Sequence, residues 1–218
     1  MLTCYYNFMQ SYRILLNGGQ GELVEKKSRF IATLRPVNTE EEAAAFIEEM
    51  KKKYWDAKHN CSAYVIGEHC EITRCSDDGE PSGTAGRPML EVLLKEELHN
   101  TAVVVTRYFG GVLLGTGGLV RAYSQSVKEG LAQCETGTLR KGQKWKITVP
   151  YNELGKVKNY LEAHNIEPDG TEYLENVLIS VTFPANESEL HRAELVERCA
   201  GKLALSDEGD CVYLDKNL

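Results

Sequence analysis

Residues 77–118 run DDGEPSGTAGRPML (77–90), then a short helix-forming stretch, then TAVVVTRYF (101–109) and GGVLLGTGG (110–118). The segment Thr101–Phe109 is short and β-branched, which reads as a central strand. An acidic, glycine-punctuated loop precedes it and a second glycine-rich turn follows it. Glycine lets a chain take positive φ or bring bare amides close to another group. Two such loops around one helix and one strand are therefore either tight turns or a surface built to meet a ligand.

Outward from this stretch, the first part of the chain reads as paired strands: YRILLN, GELVEKK and SRFIATLRPV. The cluster Gly18-Gly19-Gln20-Gly21 is the turn signal among them. Thr39 with Glu42 forms a capping box, and Ala43, Phe46, Ile47 and Met50 recur at helical spacing, so a helix runs to about Tyr54. CSAYVIG and CEITRCS flank Gly67-Glu68-His69 as a hairpin. Pro88 suits the first turn of a second helix that opens at Gly86 and Arg87. Val120, Tyr123, Val127, Leu131 and Cys134 define the inner face of a third helix starting near Leu119, with Arg121, Ser124, Gln125 and Lys128 on the other face.

The polar run ETGTLRKGQ (135–143) marks a domain boundary, giving domains 1–138 and 139–218. Beyond it the order is strand, helix, strand, strand, helix, strand, the split βαβ pattern of ferredoxin-like domains. The fold class is α+β with two domains.

Composition is that of a soluble globular protein, with 42% hydrophobic and 26% charged residues. No apolar run approaches the roughly 20 residues that span a bilayer, so a membrane partner is not expected. The N-terminus lacks the features of a secretory signal, so the cytoplasm is the expected location, and Met9 is an alternative start. The seven scattered cysteines then read as free thiols. Net charge is −7, which opposes a polyanion as a whole-molecule field. The distribution differs: residues 141–218 hold 9 Lys and Arg against 14 Asp and Glu, whereas residues 101–128 carry Arg107, Arg121 and Lys128 and no acid.

Named nucleotide motifs fail. The second glycine turn lacks the Lys and Ser/Thr of a Walker A loop, and Val120 stands where a dinucleotide fingerprint needs a small residue. A looser anion site would use the amides of Gly110, Gly111, Gly117 and Gly118 with Arg107, Arg121 and Lys128. Tyr108 and Phe109 adjoin Arg107, so a phosphate contact and a base stack are available together. The opposing reading lets Arg107 answer a loop carboxylate and fills the core with Phe109, and for Phe109 the core is the expectation. Asp77, Asp78 and Glu80, helped by Ser82 or Thr84, could position Mg²⁺ for hydrolysis or transfer on a phosphorylated small molecule. They could equally cap amides or pair with Arg74 or Arg87. A zinc set drawn from His59, Cys61, His69, Cys70 and Cys75 lacks a Cys-x-x-Cys pair, and Cys61 beside His59 is a chance-level nucleophile pairing.

The runs DDGEPSGTAGRPML and TAVVVTRYFGGVLLGTGGLVRAY closely resemble the signature of the IMPACT family, from about Tyr12 to Cys134. The C-terminal segment resembles the small domain appended in bacterial members, and the first ten residues lie outside the match. The resemblance implies a first domain like domain IV of elongation factor G and a small-subunit ribosomal protein, a βαβ sandwich with a left-handed crossover. A ferredoxin-like second domain is implied as well. It further implies a non-enzymatic regulator of translation that uses no cofactor and binds RNA or the ribosome. Eukaryotic members restrain a starvation-responsive initiation-factor kinase by binding its large activator, so a translation-associated protein is a second class of partner. Oligomeric state is not specified by the sequence.

Overall fold

The computed structural model describes residues 11–215; Met9 lies outside them. The elements are β1 (Ser11–Asn17), β2 (Gly19–Glu25), β3 (Ser28–Pro36), α1 (Glu40–Lys53), β4 (His59–Ile66), β5 (Ile72–Ser76), α2 (Gly86–Lys95), β6 (Leu98–His99), β7 (Thr101–Tyr108) and α3 (Thr116–Leu131). There follow β8 (Glu135–Val149), α4 (Leu154–Ala163), β9 (Gly170–Tyr173), β10 (Val177–Pro184), α5 (Ser188–Arg198) and β11 (Ala204–Asp215). Two compact units divide between Thr138 and Leu139, inside β8. The polar run 135–143 is strand, because its backbone pairs with strands from elsewhere in the chain.

In the first unit the sheet order is β2-β3-β7-β4-β5, antiparallel throughout. β7 sits at its centre, and both of its faces are covered. Val103 and Val105 pack with Met89, Leu93, Tyr123 and Val127 of α2 and α3. Ala102 and Val104 pack with Phe46 and Met50 of α1. Burial on both sides explains why TAVVV reads as an unbroken apolar run: no position on it faces water, so none needs a polar residue. Thr39 caps α1 by accepting from the Glu42 amide at 3.2 Å, while the Glu42 carboxylate accepts from Asn38 N at 2.7 Å. The capping box therefore closes one residue early.

The glycines at 18–21 have a different use from the turn expected of them. Gly19 and Gly21 lie within β2, where a Cβ at Gly19 would stand 2.6 Å from the Gln133 carbonyl oxygen and one at Gly21 would collide with the backbone of Glu129 and Gly130. They let α3 lie directly on the strand. The turn is Lys26-Lys27, a two-residue connection between Glu25 and Ser28 with φ of 46° and 68°. Two successive left-handed residues are the pattern of a type I′ hairpin, which Asn-Gly fills at least cost.

In the second unit β10 lies between β8 and β9, antiparallel to both, and β11 pairs β8. One sheet face buries Trp145, Ile147, Val149, Ile179, Val181 and Phe183 against Val157, Tyr160, Leu161 and Leu195 of the two helices. Between the helices the Tyr160 hydroxyl donates to Glu194 at 2.9 Å and lies 2.8 Å from His191 Nδ1, which the network makes the donor. The six cysteines among the described residues are free, and no helix among them is long and apolar enough to cross a membrane.

Two outcomes follow from this packing. Gly21→Ala forces a Cβ into the α3 backbone and should cost about 2 kcal/mol, as over-packed sites do, read by urea unfolding. Burial pulls the His191 imidazole below its ordinary 6.5, with His164 adding repulsion. The unfolded chain then takes up a proton before the folded one, so stability is full above pH 6.5 and falls as pH drops below it. His191→Gln should flatten this part of the stability profile between pH 7.5 and 5.

Candidate functional site

The C-terminal end of β7 gathers segments that are distant in the chain. Arg29 of β3 stands opposite Tyr108, and His59 of β4 opposite Arg107. The Lys26-Lys27 turn, the 54–58 turn before β4, the acidic loop and the glycine turn 109–118 therefore share one end of one sheet.

The acidic loop turns its carboxylates inward. Asp77 accepts from the amides of Gly83 (2.8 Å), Ala85 (3.0 Å) and Gly86 (2.8 Å), capping α2, whose N-cap Ala85 has no side-chain oxygen of its own. Burial works against its charge, but the three amides hold the Asp77 carboxyl below the ordinary range. Asp78 accepts from Asn60 N at 2.7 Å and lies 3.8 Å from Lys51 Nζ. Glu80 takes Arg107 Nη1 at 2.6 Å and the Tyr123 hydroxyl at 2.8 Å, with both members of the ion pair buried. Cys61 Sγ lies 3.0 Å from the Asp77 carbonyl and 3.3 Å from the Tyr123 oxygen. Desolvation pushes the Cys61 thiol up to about 12 and raises Tyr123 as well. Cys61 is thus a buried hydrogen-bonding thiol and no nucleophile.

This geometry corrects several sequence expectations. Arg107 is 7% exposed, its guanidinium 5.4 Å from the Phe30 ring centre and 5.6 Å from that of Phe109, so it cannot serve as a surface cation. Phe109 is 54% exposed instead of filling the core. Gly110 packs on the Lys27–Ser28 backbone and donates its N–H to Ser28 Oγ at 3.2 Å, so its amide is engaged. Thr84 is buried and donates to the Pro81 carbonyl, Ser82 is exposed, and Arg87 pairs with Glu91 on the surface. Tyr108, half-buried, donates to Asp56 at 2.7 Å. Among the described residues no group of three or more His, Cys, Asp or Glu could hold a metal ion.

What stays exposed is the turn 111–117 and one face of α3. Helix α3 begins at Thr116, earlier than the expected start near Leu119, because Gly115 at φ 71° serves as its N-cap and the next two glycines tolerate the first turn. The amides of Thr116, Gly117 and Gly118 precede the first intrahelical bond, from Leu119 N to the Gly115 carbonyl at 2.9 Å. Gly117 is exposed and Gly118 half-buried. Gly111, at φ 83°, has open space around it. Arg121 reaches back along the helix, its Nη1 3.8 Å from where a Gly117 Cβ would lie. Arg121 and Lys128 are exposed and have no ion pair among the described residues.

Sequence reasoning missed Lys26 and Lys27, which it placed inside a strand. Gly19 sits at the level of Gln133 and Gly21 at that of Glu129 and Gly130, so β2 runs antiparallel to α3. From Gly21 to Glu25 the strand advances about 13 Å, or roughly nine helical residues. By this rise its tip comes level with the first turns of α3. Both lysines are exposed and unpaired among the described residues. The detectable signal was a Lys-Lys pair between two apolar alternations.

Breaking the buried pair leaves an uncompensated charge, so Arg107→Ala or Glu80→Ala should cost about 3–5 kcal/mol in chemical denaturation. Tyr123→Phe, which removes one neutral donor, should cost about 1–2 kcal/mol.

The Impact N-terminal domain matches residues 26–131, and a domain of unknown function (DUF1949) matches residues 147–202. The chain is 44% identical over 208 residues to the IMPACT family member YvyE of Bacillus subtilis, covering 95% of each chain. It is 37% identical over 182 residues to the IMPACT family member YigZ of Escherichia coli, covering 83% of this chain and 89% of that one. Protein IMPACT of Homo sapiens is 34% identical over 100 residues, 43% of this chain and 30% of that protein. A crystal structure of a hypothetical protein superimposes with a TM-score of 0.58 at 35% identity, covering 90% of this chain and 97% of that one. With this likeness extending along nearly the whole chain, the protein belongs to the IMPACT family.

Proposed function

We propose that the chain is a non-enzymatic RNA-binding protein acting on translation, and that it meets RNA at the β7 end of its first domain. The observation that carries this is the convergence of the strained Lys26-Lys27 turn with the open glycine turn and Arg121. Two non-glycine residues held at positive φ are a conformational cost. Here they present two cations against the start of the glycine turn at Gly110, whose far end offers first-turn amides to phosphate as helix N-termini do. Phe109 adds an exposed ring on the same turn. Lys128, farther along the exposed face of α3, extends the positive charge.

The strand arrangement supports the finer fold reading too. In the second unit the βαββαβ order with β10 between β8 and β9 is the ferredoxin-like arrangement. Taken with the likeness to domain IV of elongation factor G that the signature implies for the first domain, it favours the ribosome as the RNA partner over a translation-associated protein. The alternative of metal-assisted hydrolysis at Asp77, Asp78 and Glu80 is disfavoured because those carboxylates already accept from three amides, from Asn60 N, and from Arg107 and Tyr123 respectively.

The test is co-sedimentation with ribosomes on sucrose gradients, comparing the parent with Lys27→Glu/Arg121→Glu. Both positions are exposed, so folding should be unaffected. Co-migration should be lost in the variant and should weaken with salt, with a log-log slope near −0.7 per phosphate contacted on a single strand. A second variant separates binding from folding: Lys26→Asn/Lys27→Gly supplies the turn's preferred residues, so it should gain roughly 1 kcal/mol of stability while binding RNA less tightly. Salt-insensitive binding, or no loss in either variant, would overturn the proposal.

A further inference from the structure

The 54–58 turn at the same sheet end carries Trp55, which is 82% exposed. The chain's other tryptophan, Trp145, is 6% exposed and donates to Ser188 Oγ at 2.7 Å. A large apolar ring in water is the more informative placement of the two. Trp55 also sits on a fixed turn. Tyr54 N donates to the Met50 carbonyl at 2.9 Å and Ala57 N to the Tyr54 carbonyl at 3.0 Å. Asp56 accepts from the Tyr108 hydroxyl at 2.7 Å, tying the turn to the end of β7. The ring is therefore held out by a braced backbone and loses little freedom on meeting a partner.

Cations flank it together with one carboxylate. Lys58 follows, exposed and without an ion pair among the described residues, and the one nearby acid of the turn, Asp56, is engaged by Tyr108. The strand before the Lys26-Lys27 turn's partner, β3, pairs β7, and β7 pairs β4, so two strand spacings, roughly 10 Å, separate the lysine turn from the tryptophan turn. An exposed indole flanked by unpaired cations is the combination that holds single-stranded nucleic acid, with bases stacked on the ring and phosphates on the lysines.

We propose that Trp55 is a stacking platform for an unpaired base of the bound RNA, with Lys58 and the Lys26-Lys27 turn holding the flanking phosphates. This rests on the RNA-binding reading above and narrows its ligand to single-stranded RNA with accessible bases.

The experiment measures fluorescence anisotropy of a labelled 12-nucleotide oligoadenylate and of an abasic oligomer of the same length, alongside tryptophan emission. The parent should bind both, the oligoadenylate more tightly, and its indole emission should be quenched by the oligoadenylate alone. Trp55→Ala should weaken oligoadenylate binding roughly tenfold, abolish the quench and leave abasic binding and the salt slope unchanged. Lys27→Glu should weaken both oligomers. If the parent binds neither oligomer, the RNA reading itself fails. If Lys27→Glu weakens binding but Trp55→Ala does not, and no quench occurs, RNA binding stands and the stacking role is overturned. Equal losses on both oligomers for Trp55→Ala would likewise overturn it, since a base-stacking residue cannot matter to a strand without bases.

Discussion

The buried contact of Arg107 with Glu80, shared by the Tyr123 hydroxyl, holds together the end of β7, the acidic loop and α3. Charges taken out of water are tolerated only when paired and further hydrogen-bonded. Arg107 meets this with one strong partner and two aromatic faces, although its Nε is buried without a partner among the described residues. Glu80 is neutralised inward by Arg107, while Asp77 and Asp78 stay charged and are directed onto backbone amides. The exposed cations there are Lys26, Lys27, Lys58 and Arg121, with Glu25 and Asp56 as their exposed acidic neighbours.

The glycines divide by physical task. Gly19 and Gly21 are small because the backbone of α3 lies on Gly21 and that of the turn after it on Gly19, which is a packing requirement. Gly111 and Gly115 have open space around them and positive φ, which is a conformational requirement. Counting glycines along the chain cannot separate the two, since both kinds appear as loop-like interruptions of apolar pattern.

Local signals carried far where the governing interactions are local. The capping box at Thr39, the Pro88 start of α2 and the apolar spacing Tyr123, Val127, Leu131 of α3 specify their elements through contacts within a few residues. The βαββαβ order after residue 138 was equally readable from periodicity. The run 135–143 was not, because its strand character depends on a neighbour supplied from elsewhere in the chain.

The amino-acid sequence by itself determined most of the elements, their order and the family, since periodicity, caps and signature residues are written along the chain. Only the tertiary structure decided which of its charges face water. Arg107 and Arg121 are indistinguishable as sequence characters, yet one lies at a strand position facing the core and the other on the outer face of a helix. Lys26, Lys27 and Trp55 joined the same sheet end because strand pairing brought their two distant turns there. Pairing between distant segments is set by register and burial across the whole domain, and no short window of sequence contains it.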